Sequence, residues 1–182
     1  ILPLVDSPPE QDYFFRRDHH WTPAGAMHTA RLVADSIRQQ PFYADLSKKQ
    51  YRTEPGVMVP KDGTMSRALK KICGNNYGFQ YARGFQTVPA GDDLGALFDE
   101  QSSQEVVLVG TSNSGVAYNF AGYLEQYSGV QVLNMAVTGG GFESDQNAAT
   151  AYWGDGQRAF PGTAKTQLAE QLLALIARRL QA

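Results

Sequence analysis

"EVVLVGTSNSGVAYNFAGYLEQYSGVQVLNMAVTGGGF", Glu105 to Phe142, decides the fold. Val106 to Val109 is a continuous apolar run rich in β-branched residues, the composition of a strand buried on both faces of a parallel sheet. The run breaks at Gly110. A helix is predicted from about Val116 to Tyr127, then a second buried strand from Val130 to Val137, ending in Gly139, Gly140 and Gly141. Strand, turn, helix and strand in that order predict a right-handed parallel crossover and an α/β chain. In open α/β sheets chemistry gathers at the carboxyl ends of the strands, here "GTSNS" and "AVTGGG". Ser112 lies on the strand-to-helix turn, where a hydroxyl is presented to solvent near the first backbone amides of the helix.

A serine nucleophile needs a base, and "FFRRDHHWTPAGA", Phe14 to Ala26, offers one. Two of the chain's three histidines sit there, just after Asp18. The segment "DYFFRRDHHW" reads as a short strand or extended stretch. Thr22 and Pro23 then start a helix, with a hydroxyl cap followed by a proline at the first helical position. Ala26, Ala30, Val33 and Ile37 keep helical spacing to about Gln39, before Pro41. Asp18 and His20 are thereby placed on fixed backbone ahead of a helix. In this reading His20 takes the Ser112 proton, Asp18 orients the ring, and His19 is a neighbour. The usual elbow has glycine two residues either side of the serine; Gly110 fits and Ser114 does not. A metal site built from Asp18, His19, His20 and His28 is the weaker chemical reading. Neighbours on an extended segment point to opposite faces, and neither an HExxH nor a paired-cysteine spacing is present.

The rest of the chain is less informative. Residues 41–100 carry recurrent Gly and Pro, with only "MSRALKKIC" briefly helical, and read as a loop-rich insertion or flank within a single 1–182 domain. "ESDQNAATAYWGDGQRAFPGT" shows no further apolar strand. A final helix is predicted from about Thr163 to Leu180, with Leu168, Leu172, Leu175 and Ile176 on one stripe. The 182 residues suffice for one core, and 42% hydrophobic and 19% charged residues are ordinary for a soluble globular protein. A net charge of −2 argues against a nucleic-acid binder, and no apolar run is long enough for a membrane span. The start, without methionine or a basic-then-apolar leader, reads as a processed or excised chain. Cys73 is the single cysteine and reads as a buried, inert thiol, or as one that has lost its partner.

Together, "DHHWTPAGA" and "VVLVGTSNSGVAYNFAGYLEQ" resemble the SGNH hydrolase-like domain of the AlgX/AlgJ group of bacterial exopolysaccharide O-acetyltransferases. The likeness covers roughly residues 10 to 142 and is closer to AlgX, because of the "YNFAGYL" continuation. It implies a flavodoxin-like parallel sheet flanked by helices and a permuted triad order, with Asp18 and His20 ahead of Ser112. Tyr118, six residues on, matches a tyrosine that the family places beside the serine. An ordinary SGNH oxyanion hole uses the serine amide, a glycine amide and an asparagine side chain. Here Ala136 stands where glycine is usual, and no Gly-x-Asn-Asp block is present. The amides of Ser112 and Ala136 are the expected donors, with Tyr118, Asn113 and Asn119 as substitutes for the asparagine.

The resemblance further implies acetyl transfer onto hydroxyls of a polysaccharide such as alginate, with no metal or organic cofactor. It implies an acetyl donor delivered by a membrane-bound O-acyltransferase, a polysaccharide secretion complex as partner, and a periplasmic location. The missing strand, and the absence of a following carbohydrate-binding module, read as truncation or a shorter sheet. Two rivals remain: an esterase using the same triad, and a non-catalytic polysaccharide-binding subunit. The complete Asp-His-Ser set argues against the second. Trp21, Tyr118, Phe120 and Tyr123 are candidates for stacking on sugars, with Phe120 and Tyr123 preferred as core. Arg16 and Arg17 read equally as a solvated pair or as partners of an acidic sugar.

Overall fold

A computed structural model describes residues 11–90, 106–138, 146–153 and 156–180. The first helix, α1 (Pro23–Arg38), starts as its sequence dictates: Thr22 is extended, and its hydroxyl accepts the Gly25 amide at 3.1 Å. Ala26, Ala30 and Ala34 form its buried stripe. Their small side chains let α1 lie close to Phe120, Tyr123 and Leu124 in one core cluster.

Strand β1 (Tyr51–Lys61) pairs antiparallel with β2 (Gln80–Pro89) in a separate two-stranded ribbon, and helix α2 (Ser66–Cys73) lies in their connection. Residues 41–90, read as loop-rich, thus hold two long strands. Their Pro55, Pro60 and Pro89 are tolerated because both strands of a two-stranded ribbon are edges, where a missing amide hydrogen breaks no inner ladder. The ribbon is tied to the rest of the fold by polar contacts. Thr53 and Thr87 share a hydrogen bond, Thr53 reaches Gln126, and the Asn119 amide donates to Thr87 at 3.0 Å. Cys73, expected to be buried, is exposed at the end of α2, and its thiol is free.

Strand β3 (Val106–Gly110) runs parallel to β4 (Val132–Thr138), with α3 (Phe120–Ser128) in the crossover. The expected helix over 116–127 is split. Short 3₁₀ turns cover Ser112–Ser114 and Val116–Tyr118 before α3 begins at Phe120, because Asn119 adopts a left-handed conformation (φ 56°). The sheet continues antiparallel through β5 (Gln146–Trp153) and β6 (Gly156–Ala164), in the order β3-β4-β5-β6. These two strands correct the expectation that the tail holds no strand. Both are polar and alanine-rich, so neither shows an apolar run, and only Ala149, Ala151 and Phe160 turn inward. The glycine run at 139–141 lies outside the described residues.

Residues on β4 alternate between two cores. Leu133 and Met135 meet Leu168 and Leu175 of α4 (Lys165–Leu180), while Val132 faces the α1 and α3 side. Strand β4 is therefore helix-covered on both faces, whereas β3, expected to be buried on both, lies at the sheet edge, is only partly buried and leaves Val109 exposed. Among the described residues no helix is long and apolar enough to cross a membrane.

Glu125 closes the α3–β4 connection by accepting the Val132 amide at 3.0 Å. Burial pushes its carboxyl up to about 7, against the lowering effect of that hydrogen bond. A raised acid favours the folded state below its unfolded value and loses that advantage as pH rises through 7. Glu125→Gln keeps the acceptor and removes the charge. It is expected to be neutral in denaturant titrations near pH 4.5 and to stabilise at pH 8, by up to about 3 kcal/mol. Equal stability of the two proteins at pH 8 would mean that the carboxylate is tolerated there.

Candidate functional site

The turn after β3 is made compact by Ser114. Its buried hydroxyl donates to the Thr111 carbonyl at 2.7 Å, and a Cβ at Gly110 would collide with it. The buried Asn134 side chain on β4 donates to the Ser114 carbonyl at 2.6 Å and ties the turn to the sheet. Ser112 opens this turn and is exposed. The turn's own bonds run from Ser114 to Thr111 and from Gly115 to Ser112, so the Ser112 and Asn113 amides have no carbonyl partner within it.

The segment that carries the histidines is a turn rather than an extended stretch. Phe14 and Trp21 form a bridge, the Phe15 amide bonds the His20 carbonyl at 3.1 Å, and Arg17 sits in the left-handed region at φ 63°. The His19 and His20 rings consequently lie on one side, 4.0 Å apart between centroids, against the expectation of opposite faces. Two bonds lock this turn onto the serine turn. The Trp21 amide donates to the Asn113 side-chain carbonyl at 3.1 Å, and the Trp21 indole donates to the Asn113 backbone carbonyl at 2.8 Å.

His20 Nε2 lies 2.8 Å from Ser112 Oγ, and its Nδ1 lies 2.5 Å from Asp18 Oδ1. The Asp18 side chain is fully buried. Oδ1 also accepts the His20 amide at 2.8 Å, and Oδ2 accepts the Thr64 amide at 3.0 Å, with Lys61 Nζ at 3.6 Å. Burial alone would raise the Asp18 carboxyl. The His20 amide and ring, the Thr64 amide and the Lys61 charge outweigh it and hold the group below the usual carboxylate value. Burial also moves His20 below the ordinary imidazole value. Asp18 opposes that shift, while Lys61 and His19 add to it. A neutral ring beside a serine, held by an ionised aspartate, is the resting state of a general base.

The remaining candidates flank this chain of bonds or lie outside it. His19 Nδ1 meets the Thr64 hydroxyl at 2.9 Å. Tyr118 stacks on His20 at 5.4 Å between centroids, and its hydroxyl accepts from Lys61 at 2.7 Å. Asn113 is the strap to Trp21, and Asn119 donates to Thr87, so the side-chain contacts of both are structural. Ala136 is fully buried in β4, in register with both Gly110 and Thr150, which puts its amide in the plane of the sheet between paired neighbours. Phe120 and Tyr123 are core residues. Arg17 donates to the Gly78 carbonyl and lies over the Tyr77 ring, whereas Arg16 is exposed beside Asp12. The metal reading retains Asp18, His19 and His20, whose ligand atoms lie within 4.8 Å of one another. Both ring nitrogens of His20 and both Asp18 oxygens already have partners, and His28 stands on α1 beside Tyr13.

Lys61 and Thr64 went unnoticed in the sequence. They come from the end of β1 and the turn after it, and that turn is clasped to the histidine segment. The Met65 amide bonds the Arg17 carbonyl at 3.0 Å, and Gly63, at φ 86°, passes so close to that carbonyl that a side chain would collide. A lone lysine among prolines and glycines carries no periodic signal. Only the pairing of Lys61 with Gln80 across the ribbon places it.

Residues 2–153 match the family described as SGNH hydrolase-like domain, acetyltransferase AlgX. The chain belongs to this family. It is 47% identical over 143 residues to the alginate biosynthesis protein AlgX of Pseudomonas aeruginosa, covering 78% of this chain and 30% of that protein. It is 31% identical over 153 residues to the probable alginate O-acetylase AlgJ of Azotobacter vinelandii, covering 76% of this chain and 37% of the relative. The solved structure of Pseudomonas aeruginosa AlgX superposes with a TM-score of 0.64 at 44% identity, over 76% of this chain and 31% of that one. The O-acetyltransferase domain of Pseudomonas putida AlgJ gives 0.58 at 28% identity, over 72% and 44%. The greater likeness to AlgX agrees with the reading of the "YNFAGYL" continuation. The chain spans about a third of the length of these curated relatives.

Proposed function

We propose that this SGNH hydrolase-like domain carries an acetyl group on Ser112 and passes it to a hydroxyl of a bacterial exopolysaccharide such as alginate. The observation that carries this reading is the unbroken Asp18–His20–Ser112 chain of hydrogen bonds, buried at the aspartate and exposed at the serine. His20 Nε2 takes the Ser112 proton as Oγ attacks the acetyl carbonyl of a donor ester. The protonated ring then gives that proton to the departing alkoxide. In the second half, His20 deprotonates a sugar hydroxyl, which attacks the acetyl-serine, and the proton returns to Ser112 as the bond to it breaks. The Ser112 amide at the start of its turn is the first donor for the oxyanion.

The relatives' roles in alginate biosynthesis and O-acetylation support the choice of a polysaccharide acceptor. Delivery of the acetyl group by a membrane-bound O-acyltransferase, work within a secretion complex and a periplasmic setting complete the proposal. The test is intact-mass measurement after incubation with a generic acetyl ester, followed by peptide mapping. One acetyl group on Ser112 is expected, discharged faster by a polyuronate oligosaccharide than by water. Discharge to water alone would make the domain an esterase. Absence of acetyl-serine under single-turnover conditions would overturn the reading.

A further inference from the structure

Lys61 touches two members of the site from a segment that carries none of the triad. Its ammonium bonds the Tyr118 hydroxyl at 2.7 Å and stands 3.6 Å from Asp18 Oδ2. It also lies over the Phe15 and Tyr118 rings, 5.7 and 5.3 Å from their centroids. Only 26% of its side chain is exposed. The recess beside it is lined largely by apolar groups, among them Phe15, Val59, Ala82, Ala117 and Tyr118, with Arg83 as the other charged residue. A lysine serving only as an ion-pair partner would place its hydrogen bond on the carboxylate; this one places it on the phenol.

We propose that Lys61 is a positioning residue of this site, holding Asp18 ionised and Tyr118 flat against His20. An ammonium donates and cannot accept, so the Tyr118 oxygen is the acceptor and its own hydrogen points away from Lys61. With its tip anchored, the Tyr118 ring stays stacked on the imidazole, 22° from coplanar. The same charge compensates the second oxygen of a carboxylate whose side chain is fully buried, and it disfavours a second cation on His20. The charged or titratable groups around His20 are Asp18 and His19 on its own segment, Lys61 from β1 and Tyr118 from the turn after Ser112. Asp18 alone favours protonation of the ring, so Lys61 counters it and leaves the ring free to accept the serine proton.

This inference rests on the Ser112 reading for its consequence in turnover, but not for its first measurement. Ring ¹⁵N titration of His20 in the full chain reads the effect without any substrate. Lys61→Met is expected to raise the His20 midpoint by about half a unit to one unit. Lys61→Arg, which keeps the charge, is expected to return it to the wild-type value. The acid limb of kcat/KM for an acetyl ester should move in the same direction in Lys61→Met, with a plateau roughly tenfold lower. If Lys61→Met fails to fold, Lys61→Gln removes the charge while keeping a donor for Tyr118, and the same upward shift is expected. A folded, uncharged variant whose His20 midpoint coincides with wild type overturns the proposal. Loss of the Ser112 reading would show differently: Ser112→Ala would keep ester turnover, while the Lys61-dependent shift stood or fell by titration alone.

Discussion

Ser112→Ala is expected to lower acetyl-ester turnover by about 10⁴-fold or more and to leave the fold unchanged. Ser112 is exposed on a turn and its hydroxyl meets His20, and losing this one part-buried hydrogen bond costs about 1 kcal/mol. Ser114→Ala should behave in the opposite way. Its hydroxyl is buried and ties the turn to Thr111, so about 1 kcal/mol of stability is expected to go while most of the turnover stays. Initial rates and thermal unfolding of the two variants check both halves. Equal loss of rate in both would mean that the nucleophile is misassigned.

Asp18→Asn should damage both function and stability. The carboxylate takes two N–H groups from His20 on one oxygen, and the Thr64 amide and the nearby Lys61 on the other. A carboxamide must turn its NH₂ toward one of these donor sets, leaving buried donors facing a donor. The expected cost is about 2–4 kcal/mol at neutral pH. Turnover should fall by about 10³–10⁴-fold, because nothing then holds the ring with its proton on Nδ1. The wild-type advantage comes from a carboxyl whose folded value is lowered. It is therefore complete above the unfolded value, near 3.9, and is lost as pH falls through the folded one. Denaturant titrations at neutral pH and near pH 3 should show the gap between the two proteins closing with acidification. An asparagine variant as stable as wild type at pH 7 would remove Asp18 from its place as the buried anion.

The parts of this molecule legible in sequence are those with a short-range physical signature. Thr22 and Pro23 announce a helix by cap chemistry, and Val106 to Val109 announces a strand by composition, though not its partial exposure at the sheet edge, so Ser112 and His20 could each be placed on backbone of known kind. Their meeting could not be read, because 92 residues separate them and the Trp21–Asn113 strap that joins them has no periodicity. Strands β5 and β6 were hidden because a strand of alanine, threonine and glutamine buries through neighbours rather than through its own apolar run. Lys61 and Thr64 were hidden because prolines in β1 read as loop until the strand is known to lie at an edge. The analogy to a glycine block points to Ala136 from the sequence, while its register between Gly110 and Thr150 is a property of the assembled sheet.

The distance in chain between the serine and its base makes Ser112 a reporter of assembly. The 3₁₀ turn around Ser112 needs only neighbouring residues, but His20 arrives only after a loop of 92 residues has closed. A serine without its base is an ordinary alcohol, inert to phosphonate esters, whereas one with its base engaged is labelled readily. During refolding from denaturant, such labelling of Ser112 should lag behind the recovery of helix signal. A reagent chosen to probe catalysis would then time the closing of the longest-range contact in this site.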